Sequence, residues 1–208
     1  MSMWAQKANC GCTKQKIDLE EPISCDPIVF KNGSKLHWQW NCDSIWLTFE
    51  NRQTLIQNTI RTCEIADINL CRKIGLVFLK EYPHYLLFKD VLIPDSNSPA
   101  DIIFFSQENG DETRRIHKDL IVRNDADNDY LLYFSDASYK KLVYLNYNKV
   151  NQFNSITFDA NKVSGSVDKN EVSELSGIFS NFKQVDNYFT FDFKNAAGQI
   201  EKLKIENK

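Results

Sequence analysis

Acidic and amide residues follow one another closely in the second half of the chain, with a spacing typical of a calcium-binding loop. The stretch reads Asp125-Ala126-Asp127-Asn128-Asp129, and Asp136 stands eleven residues after Asp125. Because alternate side chains of such a loop point inward, carboxylates at its first, third and fifth positions converge on a hard cation. Asp125, Asp127 and Asp129 are therefore a weak candidate calcium site, with Asp136 at the twelfth position.

Two features of this stretch oppose calcium binding. Tyr130 stands where the loop needs a glycine for its sharp turn. Residues 130–135 are apolar enough to form a strand, which would carry Asp136 away from the loop. The alternative is a solvated hairpin turn made of turn-favouring residues, and we expect this alternative.

Three tryptophans stand close together in the first half of the chain, at Trp38, Trp40 and Trp46. Trp38 and Trp40 are two residues apart, so a strand would place both rings on one face. Such a pair of rings could stack on a sugar or anchor a protein partner, or it could belong to the core, which the alignment with Leu36 favours. Trp46 falls on the polar face of its own strand beside Glu50. The candidate contact residues are therefore Trp38, Trp40, Trp46 and Glu50.

The chain offers a base and an acid that are close in sequence. His37, Asp43 and Glu50 lie near one predicted hairpin, where a histidine and an orienting carboxylate could meet. The sequence contains no serine-nucleophile elbow, phosphate-binding loop, His-Glu-x-x-His or dinucleotide fingerprint. Paired acids for sugar hydrolysis leave no characteristic spacing, so a hydrolase remains the least favoured function, and no catalytic residue is assigned.

The six cysteines are predicted to form disulfides: Cys10, Cys12, Cys25, Cys42, Cys63 and Cys71. An even number leaves none unpaired, whereas a zinc site would require paired Cys-x-x-Cys knuckles. Cys63 and Cys71 are close enough to close one loop, and Cys25 and Cys42 could join the amino-terminal segment to the first strong strand. Because six cysteines can pair in many ways, the sequence does not choose among them.

The first residues resemble the end of a secretory signal peptide. Ser2-Met3-Trp4-Ala5-Gln6 is followed by Lys7, and signal peptides of Bacteroidota often close with Ala-Gln just before the cleavage site. The resemblance implies export to an oxidising compartment, in which disulfides persist. We therefore expect a signal remnant at the amino terminus and a periplasmic or extracellular protein; the alternative is a cytosolic amino terminus.

A period-two alternation of apolar and polar residues predicts the strands that must position these side chains. Leu36, Trp38 and Trp40 alternate with polar residues up to a turn at 41–43, and a second strand follows through residue 50, which indicates a hairpin. Further hairpins are predicted for 74–80 with 85–93, 101–107 with 112–117, 120–123 with 130–135, and a last pair around the turn at 195–198, with Phe189, Phe191 and Phe193 on one face.

Two segments are ambiguous, because residues 53–72 have a helical spacing with many β-branched residues and 171–179 could form a short helix. The remainder gives about ten short strands without the rhythm of a parallel sheet, so the predicted fold is all-β, an antiparallel sandwich or barrel, with a small propeller less favoured. Residues 1–34 are predicted to form an irregular, disulfide-held arm, and residues 35–208 a single β-rich domain.

Composition limits the partners. The 208 residues carry a formal net charge of −3, and 12% of them are aromatic. A mildly acidic chain has no electrostatic footprint for nucleic acid or an anionic membrane. Its apolar runs fall far short of the ~20 residues that a membrane-spanning helix needs.

These observations favour a binding protein over an enzyme. We expect a non-catalytic protein that binds a protein partner, as an inhibitor or a toxin-neutralising immunity protein does, because its acidic loops could fill a basic cleft. Asp125, Asp127 and Asp129 are therefore candidate partner contacts as well. The alternative is a carbohydrate- or small-ligand-binding β module that uses the tryptophans. No cofactor is expected beyond the weak calcium candidate, and the oligomeric state is not predicted.

Overall fold

The chain folds almost entirely into β-strands. The computed structural model describes residues 11–12, 25–64, 75–91, 100–149, 153–158, 177–185, 188–195 and 197–206. Among them are four antiparallel sheets and two short 3₁₀ helices, Lys118–Leu120 and Tyr147–Lys149. The prediction of an antiparallel all-β fold is confirmed. None of the described helices is long and apolar enough to cross a membrane.

The chain divides into two compact units, residues 1–115 and 116–208. The prediction of one β-rich domain over 35–208 stays a prediction, because compactness alone does not define a domain. Each unit is described by itself below.

The first unit contains two four-stranded sheets. One has the strand order β1-β2-β3-β4, formed by Ile28–Val29, Lys35–Trp40, Ser44–Asn51 and Ile56–Glu64. The other has the order β5-β6-β7-β8, formed by Gly75–Glu81, Tyr85–Val91, Asp101–Ser106 and Glu112–Ile116. The predicted hairpin of β2 and β3 is confirmed, with Trp38 opposite Leu47 and Trp40 opposite Ile45.

Apolar residues that alternate along these strands form one hydrophobic core shared by both sheets. Its buried members are Phe30, Leu36, Leu47, Phe49, Leu86, Phe88, Ile103 and Phe105. Phe88 and Phe105 meet edge to face with ring centroids 5.2 Å apart, and full burial of each such ring stabilises the fold by roughly 1.5–3 kcal/mol. Because both sheets contribute, the first unit is a two-layer β-sandwich.

The second unit contains a four-stranded and a three-stranded sheet. The first has the order β12-β11-β10-β9, formed in chain order by β9 Ile121–Asp125, β10 Tyr130–Phe134, β11 Lys141–Asn146 and β12 Phe153–Thr157. The second has the order β13-β14-β15, formed by Phe179–Val185, Tyr188–Lys194 and Ile200–Glu206. Phe189, Phe191 and Phe193 of β14 are buried in a core that both sheets share, as predicted from their spacing.

The first part of the ambiguous segment 53–72 is a turn and a strand, and not a helix. Residues 56–64 form β4, which pairs with β3 so that Ile45 lies opposite Cys63. β-branched residues favour this extended conformation. Residues 65–72 and most of the helix considered at 171–179 lie outside the described residues, and Phe179 already begins β13.

One of the disulfide pairings that the sequence left open is excluded. Cys12 is bonded to Cys25, so Cys25 cannot pair with Cys42. The bond confirms that the amino-terminal arm is held by a disulfide, and Cys12 Sγ lies 3.7 Å from the carbonyl oxygen of Trp38 in β2. Cys42 and Cys63 each take part in a disulfide as well.

The pairing of Cys63 with Cys71 stays one of the possibilities that the sequence left open. Cys71 and Cys10 both lie outside the described residues.

Candidate functional site

Two hairpin turns of the first unit are fastened together by a buried asparagine. Asn51 ends β3 and is 6% exposed. Its Nδ2 donates to the carbonyl oxygens of Gln107 and Glu108, at 3.2 and 3.1 Å, in the turn between β7 and β8. Its Oδ1 accepts from the backbone N–H groups of Gln53 and Thr54, at 2.9 and 3.3 Å. One side chain therefore fixes its own turn and ties it to the turn of the other sheet.

Further polar contacts join the same two turns. Thr54 Oγ1 donates to the carbonyl oxygen of Glu108 at 3.2 Å. Asn58 Nδ2 donates to Asp111 Oδ1 at 2.9 Å, and Asn109 Nδ2 donates to Asp111 Oδ2 at 2.6 Å. Residues 51–58 and 107–111 thus form one braced structure, called the hairpin tip below.

A glycine lets the hairpin tip sit directly on the core. Gly110 has a positive φ of 75°, and a Cβ at this position would lie 2.6 Å from the ring of Phe49. The sequence predicted a hairpin turn between residues 107 and 112, and at Gly110 both the backbone conformation and the contact with Phe49 require glycine.

Leu55 is the most exposed feature of the hairpin tip. Its side chain is 90% exposed, and its φ of 57° lies in the left-handed region. That conformation costs a leucine roughly 1–2 kcal/mol, and an exposed side chain recovers none of this cost by burial. Arg52, Glu108 and Asp111 of the hairpin tip are exposed as well, so the tip presents one cation and two carboxylates in addition to the leucine.

A cavity of about 360 Å³ adjoins the hairpin tip between the edge strands β4 and β8. Ile60, Leu76 and Phe105 supply apolar lining, and Arg61, Asp111 and Arg115 supply charge. The cavity therefore combines an apolar surface with groups of both signs.

Arg115 organises most of the carboxylates around this cavity. Its Nη1 lies 3.0 Å from Asp90 and 3.4 Å from Asp101, and its Nε and Nη2 donate to the two oxygens of Glu112 at 3.1 and 2.9 Å. The hydrogen bonds to Glu112, reinforced by those to Asp90, outweigh the effect of burial and raise the pKa of Arg115. Arg61 is placed differently, because its nearest carboxylate oxygen belongs to Asp90, at 3.9 Å.

The tryptophans do not form an open platform. Trp40 is 3% exposed, and Trp38 is partly buried against the core of the first unit, so the core interpretation fits both. Trp46 lies on the outer face, as its spacing predicted, but its Nε1 donates to Gln39 Oε1 at 2.8 Å. Thr48 Oγ1 donates to the same oxygen at 2.9 Å, which fixes this part of the sheet surface.

His37 and Glu50 meet on the same outer face. His37 Nε2 lies 3.6 Å from Glu50 Oε1, and this is a diagonal contact, because Glu50 lies opposite Lys35 in the register. Thr48 is opposite His37 in the register, but it is buried and its hydroxyl is directed to Gln39. Asp43 is exposed in the adjoining turn. His37 and Glu50 therefore form an ion pair only when His37 is protonated. The neighbouring Thr48 hydroxyl is not placed to act as a nucleophile activated by His37, because it donates to Gln39.

The acidic loop of the second unit is built as a hairpin turn. Asp125 Oδ1 accepts from the backbone N–H and from Nδ2 of Asn128, both at 3.0 Å, and Asp129 Oδ2 accepts from Asn148 at 2.9 Å. Asp127 is exposed. Asp136 lies in a separate turn, where its carboxylate accepts from Ser138 at 2.8 Å.

These acids do not assemble a cation site. In the parts of the chain that the structure describes, no three His, Cys, Asp or Glu side chains are grouped so that they could hold a metal ion. The turn interpretation of residues 125–129 therefore accounts for the loop.

A groove of about 550 Å³ lies beside Asp125 in the second unit. Arg123 Nη2 is 3.6 Å from Asp125 Oδ2, and the Arg123 guanidinium lies over the ring of Phe182 at 5.8 Å. Burial tends to raise the pKa of Asp125, but hydrogen bonds from Asn128 and the charge of Arg123 outweigh it and hold that pKa below its usual value. Burial, with the charge of Asp125, raises the pKa of Tyr130 in the same groove.

No protein-family model and no curated protein matches the chain. The sequence did not identify Asn51 and Leu55 as site residues. An asparagine at the start of a turn is a usable signal for Asn51. The positive φ of Leu55 has no such signal, because residues 52–55 contain no glycine, asparagine or aspartate.

Proposed function

We propose that the protein is a binding protein that captures a protein partner outside the cytoplasm, with the hairpin tip as its contact surface. The observation that carries the proposal is Leu55, which is 90% exposed in a left-handed conformation on a braced turn. A strained residue of this kind persists where its surroundings over-determine it, and such residues cluster at ligand contacts.

The bracing supports binding energetically. A turn already fixed by Asn51 and Thr54 loses little conformational freedom when it docks, which lowers the entropic cost of association. Full burial of a leucine side chain in a partner contributes roughly 1.5–3 kcal/mol. Leu55 could therefore serve as an anchor residue without prior rearrangement of the tip.

The charges of the hairpin tip suggest the chemistry of the partner. Glu108 and Asp111 of the tip are exposed, as Leu55 is, so a complementary surface has an apolar pocket and basic groups. Charge pairs of this kind mainly accelerate association and become weaker in salt. This chemistry suits the inhibitor or immunity protein expected from the sequence, which would fill a basic cleft of its target.

The proposal is tested by capture from the organism of origin with tagged variants. Leu55→Ser is compared with Ile200→Ser, which changes another exposed apolar residue, 69% exposed in the second unit. The expected result is one stoichiometric partner that Leu55→Ser loses and Ile200→Ser retains. Equal retention by both folded variants would remove the hairpin tip from the proposal.

Thiol titration tests the proposed compartment. The disulfides of Cys12, Cys25, Cys42 and Cys63 fit an oxidising compartment such as the periplasm or the cell exterior. Protein taken from the native organism without reductant is expected to show no titratable thiol at these four cysteines. Six reactive thiols in such a sample would place the protein in a reducing compartment.

A carbohydrate-binding module remains the second candidate because of the groove beside Asp125. Its aromatic Phe182 and its polar Asn128 and Gln184 combine the apolar and hydrogen-bonding groups that small-ligand sites use. Isothermal titration with an oligosaccharide panel tests this candidate. Binding that Gln184→Ala abolishes, together with no captured protein, would favour it over the first proposal.

A further inference from the structure

We propose that the cavity between β4 and β8 of the first unit binds a small dipolar molecule, an ω-amino carboxylate, with its carboxylate at Arg61 and its ammonium group at Asp111. This inference goes beyond the capture of a protein by Leu55, since it concerns a second ligand in an adjoining, concave site that shares Asp111 with the hairpin tip. It rests on one cation and one anion of the cavity whose charges the protein itself compensates poorly.

Arg61 is the under-compensated cation. A guanidinium has five donor hydrogens, but the nearest carboxylate oxygen to Arg61 is at 3.9 Å and belongs to Asp90. The other oxygen of Asp90 lies 3.0 Å from Arg115, so that carboxylate is already paired. The Nε of Arg61 faces Cys63 Sγ at 3.3 Å, which is a weak acceptor. Because the Arg61 side chain is only 26% exposed, water replaces these missing partners incompletely.

Asp111 is the under-compensated anion. Its two oxygens accept from the amides of Asn58 and Asn109, which are neutral. These bonds fix the position of the carboxylate without neutralising its charge. The adjacent Glu112 differs, because both of its oxygens pair with Arg115.

The two groups lie at opposite ends of the cavity wall that β4 contributes. Asp111 is anchored to Asn58, and Arg61 stands three residues further along the same strand. Asn58 lies opposite Phe49 and Arg61 opposite Leu47, so the two positions are two strand residues, roughly 7 Å, apart along β4. Ile60, Leu76 and Phe105 line the cavity, and they could cover the methylene chain of a ligand charged at both ends.

Three probes of similar length distinguish recognition of both ends from recognition of one. Isothermal titration compares 6-aminohexanoate with hexanoate, which lacks the ammonium group, and with hexylamine, which lacks the carboxylate. The wild-type protein is expected to bind 6-aminohexanoate at least about tenfold more tightly than either single-ended probe. Failure to bind 6-aminohexanoate, or equal binding of all three probes, would overturn the proposal without any variant.

Variants then assign the two ends. Arg61→Gln and Asp111→Asn are each expected to weaken 6-aminohexanoate binding about tenfold or more, and Arg61→Gln is expected to leave the weak binding of hexylamine unchanged. Arg52→Gln, which removes an exposed arginine of the hairpin tip, is the matched control and should bind as the wild type does. Unchanged binding by folded Arg61→Gln would contradict the assignment. Leu55→Ser separates the two proposals, since it should abolish partner capture and leave binding of the probe intact.

Discussion

The side-chain amide of Asn51 donates to the carbonyl oxygen of Glu108 at 3.1 Å, between residues 57 positions apart in the chain. The contact joins the end of β3 in one sheet to the turn that follows β7 in the other. The conformation in which Leu55 is presented therefore depends on a bond between the two layers of the sandwich, and not only on the local sequence of its turn.

Replacing Asn51 with alanine is expected to destabilise the protein by about 2–3 kcal/mol. The substitution removes the donors to two carbonyl oxygens and the acceptor for two backbone N–H groups, and unsatisfied buried groups cost about 1–3 kcal/mol. Urea unfolding measures the loss. Asn41→Ala is the control, because Asn41 Oδ1 accepts only from Asp43 and Ser44 of its own exposed turn, and it should cost less than about 1 kcal/mol. Equal losses would mean that the contact with Glu108 contributes little.

Leu55→Asn is expected to stabilise the isolated protein by about 0.5–1 kcal/mol while weakening partner capture. Asparagine tolerates a positive φ better than leucine does, and a side chain that is 90% exposed loses little burial. Thermal or urea unfolding measures the gain.

Tyr139→Asn is the matched control for this gain. Tyr139 also has a positive φ, of 54°, but its ring packs edge to face on Phe134 with centroids 5.0 Å apart. That substitution should destabilise the protein. A loss of stability in Leu55→Asn would show that the exposed leucine is structural.

The parts of the fold that were predicted correctly are those in which burial of one face follows chain order. Phe189, Phe191 and Phe193 alternate in sequence and are all buried, because a strand turns every second residue to the same side. In β4 this rule fails at a register shift between Leu47 and Thr48 of the partner strand. The extra residue in β4 is Ile60, which has no partner between Thr59 and Arg61. It makes the spacing from Ile60 to Cys63 an odd number of residues, and this spacing therefore imitates the period of a helix.

The contacts of the candidate sites could not be predicted for a different reason. Asn58 meets Asp111 across 53 positions, and Arg61 approaches Asp90 from the other sheet. The local sequence around these residues does not indicate their contact partners, because those contacts depend on how the two sheets stack. His37 and Glu50, by contrast, lie on one predicted hairpin, and their proximity was therefore expected.

Trp40 and Trp46 are expected to differ strongly in their contribution to stability. Trp40→Ala removes a side chain that is 3% exposed and should cost about 3–5 kcal/mol. Trp46→Ala removes a half-buried ring and its bond to Gln39, which should cost about 1–2 kcal/mol. Urea unfolding midpoints give the comparison.

A Trp40→Phe variant refines this test. The Nε1 of Trp40 is buried without an acceptor among the described residues, so replacing the indole with phenylalanine should cost less than about 2 kcal/mol. A loss in Trp46→Ala as large as that in Trp40→Ala would contradict the assignment of Trp40 to the core and of Trp46 to the outer face.

Asp125 is expected to stabilise the protein at neutral pH and to lose this effect in acid. Burial opposes its charged form, but Asn128 and Arg123 outweigh burial and lower its pKa in the folded state. A group whose folded pKa is lowered stabilises the fold above its unfolded pKa, about 3.9 for aspartate, and this stabilisation disappears as the pH falls through the folded pKa.

Asp125→Asn keeps an acceptor for Asn128, so it removes mainly the charge. We expect it to be about 1 kcal/mol less stable than the wild type at pH 7, with the difference closing below the folded pKa. Asp127→Asn, at an exposed position of the same turn, should stay within about 0.5 kcal/mol of the wild type. A difference for Asp125→Asn that persists unchanged in strong acid would show that its carboxylate charge is not the source of the stabilisation.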